Sequence, residues 1–155
     1  MTVTVTEILE KKGRKVWTVT SEQTVYEALE LMAERNIGAV LVMEAGKVVG
    51  IFSERDYARK GILKGRVSKN TCVTEIMTRD VYCVPHWQTI YNCMGLMTDK
   101  RLRHLPVMEE GKLIGIVSIG DIVKAVISEK EFAFHELEMY VDDVLKTRDS
   151  GKKDL

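Results

Sequence analysis

Residues 16–59 and 81–124 are two copies of one segment, aligned at a constant offset of 65 without a gap, and 16 of the 44 pairs are identical. The identical pairs include Gln23/Gln88, Thr24/Thr89, Gly46/Gly111, Gly50/Gly115, Ser53/Ser118 and Asp56/Asp121. Upstream, Val5–Leu9 (VTEIL) matches Val73–Met77 (VTEIM) at an offset of 68, so the first copy carries three extra residues before its first strand. Two copies are too few for a solenoid or a propeller. The chain must instead pair two supersecondary units about a pseudo-twofold axis. A site at their junction then occurs twice, in nearly equivalent forms.

Each copy reads β-α-β-β-α, an α+β architecture. Val16–Val19 is β-branched and aromatic, hence a strand. Thr24-Val-Tyr-Glu27 has the form of a capping box, with threonine closing the helix start and glutamate reaching back. Val25, Ala28, Leu29 and Met32 then recur on one helical face, and Ile90, Cys93, Met94 and Met97 repeat the pattern. The apolar runs Ala39–Met43 and Val48–Phe52 flank Glu44-Ala45-Gly46-Lys47, which predicts a hairpin. A second helix is expected from Ser53 or Glu54 to about Leu63, and its counterpart from Ser118 to about Ile127. Polar residues 65–71 link the copies. Residues 129–145 predict a further helix with a broad apolar stripe, either a lid or a partner surface. The expected units are therefore 5–66, 70–128 and a C-terminal helical extension, 129–147.

A net charge of zero argues against nucleic acid as the main partner. The basic stretch from Arg59 to Lys69 is interrupted by Gly, Ser and apolar residues and reads as a solvated loop. No apolar run is long enough to span a membrane. The three cysteines form no CxxC pair, so metal or disulfide use is not expected and a reducing cytoplasm is. Cys93 takes the place of Ala28 and reads as a small core residue. Trp17 and Trp87 are expected to pack. No P-loop, GxGxxG, HExxH or GxSxG is present, and His86, His104 and His135 stand apart from any nucleophile. The adjacent Asp142 and Asp143 point to different sides of a helix. Catalysis is not expected.

The segments Gly50-Ile-Phe-Ser-Glu-Arg-Asp56 and Gly115-Ile-Val-Ser-Ile-Gly-Asp121, with Arg103-His-Leu-Pro-Val107, resemble the cystathionine-β-synthase (CBS) domain pair of small stand-alone proteins. The resemblance covers roughly residues 5–127. It implies binding of an adenine nucleotide (AMP, ADP, ATP or NAD(H)) between the copies, and pairing of two chains into a flat four-motif disc.

Asp56 and Asp121 have two readings that are not exclusive. Each carboxylate suits a ribose diol, because charge-assisted bonds are the stronger kind. Each also completes a Ser-x-x-Asp capping box at a helix start. Ser53 and Ser118 sit where helix amides offer an anion site, or are plain caps. The resemblance implies that Arg103 and His104 lean into the cleft toward phosphate. Their counterparts are Gly38 and Ala39, which leave room for a flat ring packed by Ile37 and Leu102. Arg55 faces Gly120 across the repeat, so two unequal sites are expected. A ligand-free interaction or dimerisation platform is the alternative reading, and a homodimer is expected from the apolar helix faces.

Overall fold

The structure, a computed structural model, describes residues 2–152. The chain runs α1 (Val5–Lys12), β1 (Thr18–Thr20), α2 (Val25–Arg35), β2 (Ala39–Glu44), β3 (Lys47–Ser53) and a short α3 (Glu54–Asp56). After the linker come β4 (Val84–Pro85), α4 (Ile90–Lys100), β5 (His104–Glu109), β6 (Lys112–Ser118) and α5 (Ile119–Lys152). Each copy forms a three-stranded sheet, ordered β1-β2-β3 and β4-β5-β6. The first pair is parallel and the second antiparallel in both sheets. The register shifts at equivalent places, Val42/Met43 and Val107/Met108.

Local chemistry accounts for these elements. Thr24 Oγ1 accepts the Glu27 amide at 3.2 Å and caps α2, and Thr89 Oγ1 does the same for the Asn92 amide in α4. The hairpins turn on two residues with positive φ, Ala45 and Gly46 in one copy and Glu110 and Gly111 in the other. That is the primed turn whose twist matches the strands. The β2 run Ala39–Val42 is buried throughout, as its continuous apolar sequence requires.

The segments before each copy cross over. Val5, Ile8 and Leu9 of α1 join Val84, Ile90, Cys93, Leu105, Val117 and Ile122 in the core of the second copy. Val73, Ile76 and Met77 join Val19, Val25, Met32, Val40 and Phe52 in the core of the first. The main-chain bonds obey the same exchange: the Val5 amide donates to Gln88 O at 2.8 Å, and the Val73 amide to Gln23 O at 2.9 Å. Each inserted segment rests on a glycine of the facing strand. A Cβ on Gly115 would stand 2.7 Å from Leu9 Cδ2, and one on Gly50 would collide with Met77 Sδ. These glycines are the first residues of the repeated Gly-h-h-Ser-x-x-Asp segments, so one motif carries both the packing and the candidate site.

Several expectations need correction. The first strand starts at Thr18 rather than Val16, although the Leu41 amide already donates to Trp17 O. The helix after β3 is helical to Lys64 but changes pitch: a π turn covers Tyr57–Gly61 and a 3-10 turn Ile62–Lys64. Trp87 does not pack; it is 65% exposed. The second motif's last helix and the C-terminal extension are one rod of 34 residues, Ile119–Lys152. No Gly or Pro falls between Gly120 and Gly151 to end it. At 1.5 Å per residue the rod is about 50 Å long.

The exchange predicts a coupling. Gly115→Ala should destabilise the chain by about 1–3 kcal/mol through overpacking. In a Leu9→Ala background the same change should cost clearly less, because the colliding methyls are gone. Urea unfolding of the four chains measures this, and strictly additive losses would contradict the contact.

Candidate functional site

The junction of the copies holds a cleft of about 720 Å³. Its walls come from both copies: Gly38, Ile51 and residues 53–56, 59 and 60 on one side, residues 101–104 on the other, and Thr78 from the segment that precedes β4. Of the candidates, the cleft gathers Ser53, Arg55, Asp56, Gly38, Leu102, Arg103 and His104. Ile37 does not line it and packs against the first core, where Ile51 supplies the apolar wall instead. Ala39 is buried in β2. Ser118 and Asp121, at the start of α5, do not line this cleft.

Both serine–aspartate pairs form reciprocal caps. Asp56 Oδ2 accepts the Ser53 amide and hydroxyl, each at 3.1 Å, and Ser53 Oγ accepts the Asp56 amide at 3.2 Å. Asp121 Oδ2 accepts the Ser118 amide at 2.8 Å, and Ser118 Oγ accepts the Asp121 amide at 3.2 Å. The capping reading is therefore realised in both copies. A carboxylate has about four acceptor sites, so a cap leaves room for further donors.

Those further donors differ between copies. Thr78 Oγ1 donates to Asp56 Oδ1 at 3.1 Å, its amide donates to Ile51 O at 2.8 Å, and Lys60 Nζ lies 3.4 Å from Asp56 Oδ1. In the second copy one ammonium does the work of Thr78. Lys12 Nζ, from the exchanged α1, donates to Asp121 Oδ2 at 2.7 Å and to Ile116 O at 3.0 Å. Burial alone would push the Asp121 carboxyl up, but the Lys12 and Ser118 hydrogen bonds outweigh it and hold the group below its ordinary value. Asp121, Lys12 and Lys124 line a separate cavity of about 610 Å³ between α1 and α5, and Ile37, Gly38, Ala39 and Ser118 take no part in it. The surroundings of the two aspartates are thus unequal in shape as well as in charge.

His104 opens β5 between the two sites. Burial is the main cause that lowers its pKa, Lys12 and Arg103 add to it, and Asp121 opposes them. The ring is held neutral where a free histidine would begin to titrate. The Cys93 thiol is pushed up to about 11 by burial, which fits an inert core residue.

Sequence reading missed Lys12, Thr78, Arg59, Lys60 and Arg101. For three of them the repeat held a signal: Lys60 faces Ala125, Arg101 faces Asn36, and Thr78 adjoins the matched VTEIM segment. The stretch Arg59–Lys69 is only partly a solvated loop, since its first two residues line the cleft. Among the described residues no group of three or more His, Cys, Asp or Glu side chains is placed to hold a metal. No described helix is long and apolar enough to cross a membrane.

A tandem β-α-β-β-α pair with a polar cleft at its junction defines a class of two-motif regulatory modules. The CBS domain family matches residues 3–62 and 73–128, and the chain belongs to it. The mitochondrial CBS domain-containing protein CBSX3 of Arabidopsis thaliana is 38% identical over 148 residues, which span 89% of this chain and 71% of that protein. A solved CBS-domain protein of Burkholderia ambifaria, described as acting in signal transduction, is 53% identical, covers 81% of this chain and 95% of its own, and superposes with a TM-score of 0.79. The CBS domain pair of protein MJ0100, solved with 5′-methylthioadenosine and S-adenosyl-L-methionine, shares the fold at 24% identity, with a TM-score of 0.74 and 83% and 99% coverage.

The low pKa of His104 fixes the sign of a pH effect. The unfolded chain takes up the proton first, so this contribution to stability is complete above about pH 6.5 and falls as pH drops below that value. His104→Gln should flatten the decline. Denaturant unfolding between pH 7.5 and 5.5 tests it, and parallel pH profiles for both chains would contradict the assignment.

Proposed function

We propose that this chain is a regulatory module that binds an adenosine-containing nucleotide in the Asp56 cleft and reports its occupancy to a partner protein. The observation that carries the reading is the cleft itself. One fixed carboxylate, Gly38 and Ile51 of the first copy face Leu102, Arg101 and Arg103 of the second. Its volume lies within the range of about 300–1,000 Å³ common to small-molecule sites. MJ0100 lends support at the level of the fold alone, as a CBS pair that holds adenosine compounds.

The ribose diol would bond Asp56. It would replace the Ser53 hydroxyl on Oδ2, which the Ser53 amide already backs up, and Lys60 on Oδ1, the longest of the contacts at 3.4 Å. Lys60 is then released toward phosphate, with Arg103 and Arg55. Gly38 bears no side chain to obstruct a flat base. A ligand held this way ties copy one to copy two, and it stabilises whichever relative arrangement it binds better. Asp121 is the weaker site, because a second nucleotide must displace the 2.7 Å Lys12 bond. The expected setting is a reducing cytoplasm, and catalysis plays no part.

The module works as a homodimer. Phe134, Leu137, Val141 and Val144 recur on α5 at the 3-4-3 spacing of a helix-pairing seam, all outside the core, with Phe134 62% and Leu137 58% exposed. Among the described residues nothing covers them. The fold alone does not fix the number of copies, since a CBS-CP12 protein of bloom-forming cyanobacteria is hexameric (28% identity, 79% and 71% coverage, TM-score 0.71). A second copy of α5 is the simplest cover for an apolar seam of this length.

Two outcomes are expected. Adenine nucleotides should raise the melting temperature, and guanine nucleotides less; at a hundredfold excess over Kd one site contributes about 2.7 kcal/mol. Asp56→Asn should keep much of the cap yet lose affinity about ten- to a hundredfold by calorimetry. An unchanged isotherm with lowered apo stability would make Asp56 a cap alone. Sedimentation should show a dimer at micromolar concentration and a monomer for Leu137→Glu/Val141→Glu, and a monomeric parent chain would refute the seam.

A further inference from the structure

We infer that the Asp56 cleft is built for a nucleotide carrying two or more phosphates, rather than a nucleoside or a monophosphate; the inference rests on the nucleotide reading above. The cleft gathers Arg55, Arg59, Lys60, Arg101 and Arg103 against only Glu54 and Asp56, an excess of three positive charges. The chain as a whole is neutral, so this is a local concentration of charge. Lys60 makes its one ion pair with Asp56. Among the described residues the four arginines, all exposed, have no ion-pair or side-chain hydrogen-bond partner, and neither has Arg14, whereas Arg66 pairs with Glu75, Arg35 stacks on Trp17 and Arg79 donates to Thr74 O. Guanidinium groups gathered in one concavity suit a polyanion, because each offers a planar fork of donors matched to phosphate oxygens.

The repeat supplies a control. The counterparts of Arg55, Arg59, Lys60, Arg101, Arg103 and His104 are Gly120, Lys124, Ala125, Asn36, Gly38 and Ala39, a set with one cation. Folding does not ask for these charges, since the same scaffold is built without them. Arg101 also carries a backbone cost. It closes α4 in the left-handed region with φ 55, where Asn36 closes α2 with φ 52. Asparagine suits that conformation and arginine does not. Arg59 and Lys60 lie on the π turn Tyr57–Gly61, whereas the matching stretch of the second copy, 122–126, is regular α-helix. Such turns concentrate at functional sites. The charges come from both copies, so a chain of phosphates would run across the junction. A monophosphate, with a charge of about −2, leaves part of the excess unmatched.

Titration calorimetry of the full chain with adenosine, AMP, ADP and ATP at fixed ionic strength tests this. The dissociation constant should tighten at least about tenfold from AMP to ADP, and added salt should weaken ADP more than AMP. Arg59→Gln/Arg101→Gln should bring the ADP-to-AMP ratio close to one, with the melt of the free chain showing that the variant is folded. Inorganic tripolyphosphate should compete with ADP but bind more weakly than ATP; equal affinity would overturn the nucleotide part of the inference. AMP binding as tightly as ADP and ATP would overturn the inference and leave the nucleotide reading standing. Absence of binding by all four would overturn both.

Discussion

Leu9 packs on the backbone of Gly115 and Met77 on that of Gly50, and the rest of the molecule follows from this reciprocal insertion. A three-stranded sheet with two helices leaves one flank open. Each copy closes the other's flank with the segment that precedes its own first strand. Neither core is complete without the partner copy, so the two motifs cannot separate without exposing Val5, Ile8 and Leu9 or Val73, Ile76 and Met77. Burying a side chain of that kind contributes about 1.5–3 kcal/mol. The exchange therefore fixes the distance and angle between the copies, and with them the cleft.

The same insertion makes the clefts unequal. Because α1 reaches the second sheet, Lys12 arrives at Asp121 and forms an ion pair with it. Its counterpart segment ends sooner, as a 3-10 turn over Val73–Glu75, and brings Thr78 to Asp56 instead. The Thr78 hydroxyl at 3.1 Å adds no charge beside Asp56, where Lys60 stands 3.4 Å off, whereas the Lys12 ammonium at 2.7 Å holds Asp121 ionised in a close ion pair. The symmetric scaffold holds its symmetry in the backbone and the caps. The departures, Arg55 against Gly120 and Arg103 against Gly38, lie on the surface that both copies share.

Much of this was legible in the residues. The repeat gave the architecture, the alternation of apolar runs gave the hairpins, and Thr24 and Ser53 gave the caps. Asp56, Ser53, Arg55, Gly38, Leu102, Arg103 and His104 meet in one cleft, a grouping that the repeat, which implies two clefts, does not specify. What was not legible depends on distance in the sequence. The match of VTEIL to VTEIM was plain, but nothing local says which sheet such a segment joins, so Lys12 and Thr78 stayed hidden. The continuity of α5 turns on the absence of a stop signal between Gly120 and Gly151, weaker evidence than a present one. The π turn at Tyr57–Gly61 arises where Gly61 packs on the Tyr57 ring, a contact that helical periodicity does not encode.

One scaffold presents two cavities beside equivalent aspartates, and we propose that the one at Asp56 takes nucleotide tightly. Native mass spectrometry of the intact assembly, titrated with ADP, reads this out. One ADP per chain should saturate well before any second is bound, and Lys12→Met should bring the second on at lower concentration. Two ADP per chain binding with equal ease in the parent protein, or none at all, would contradict it.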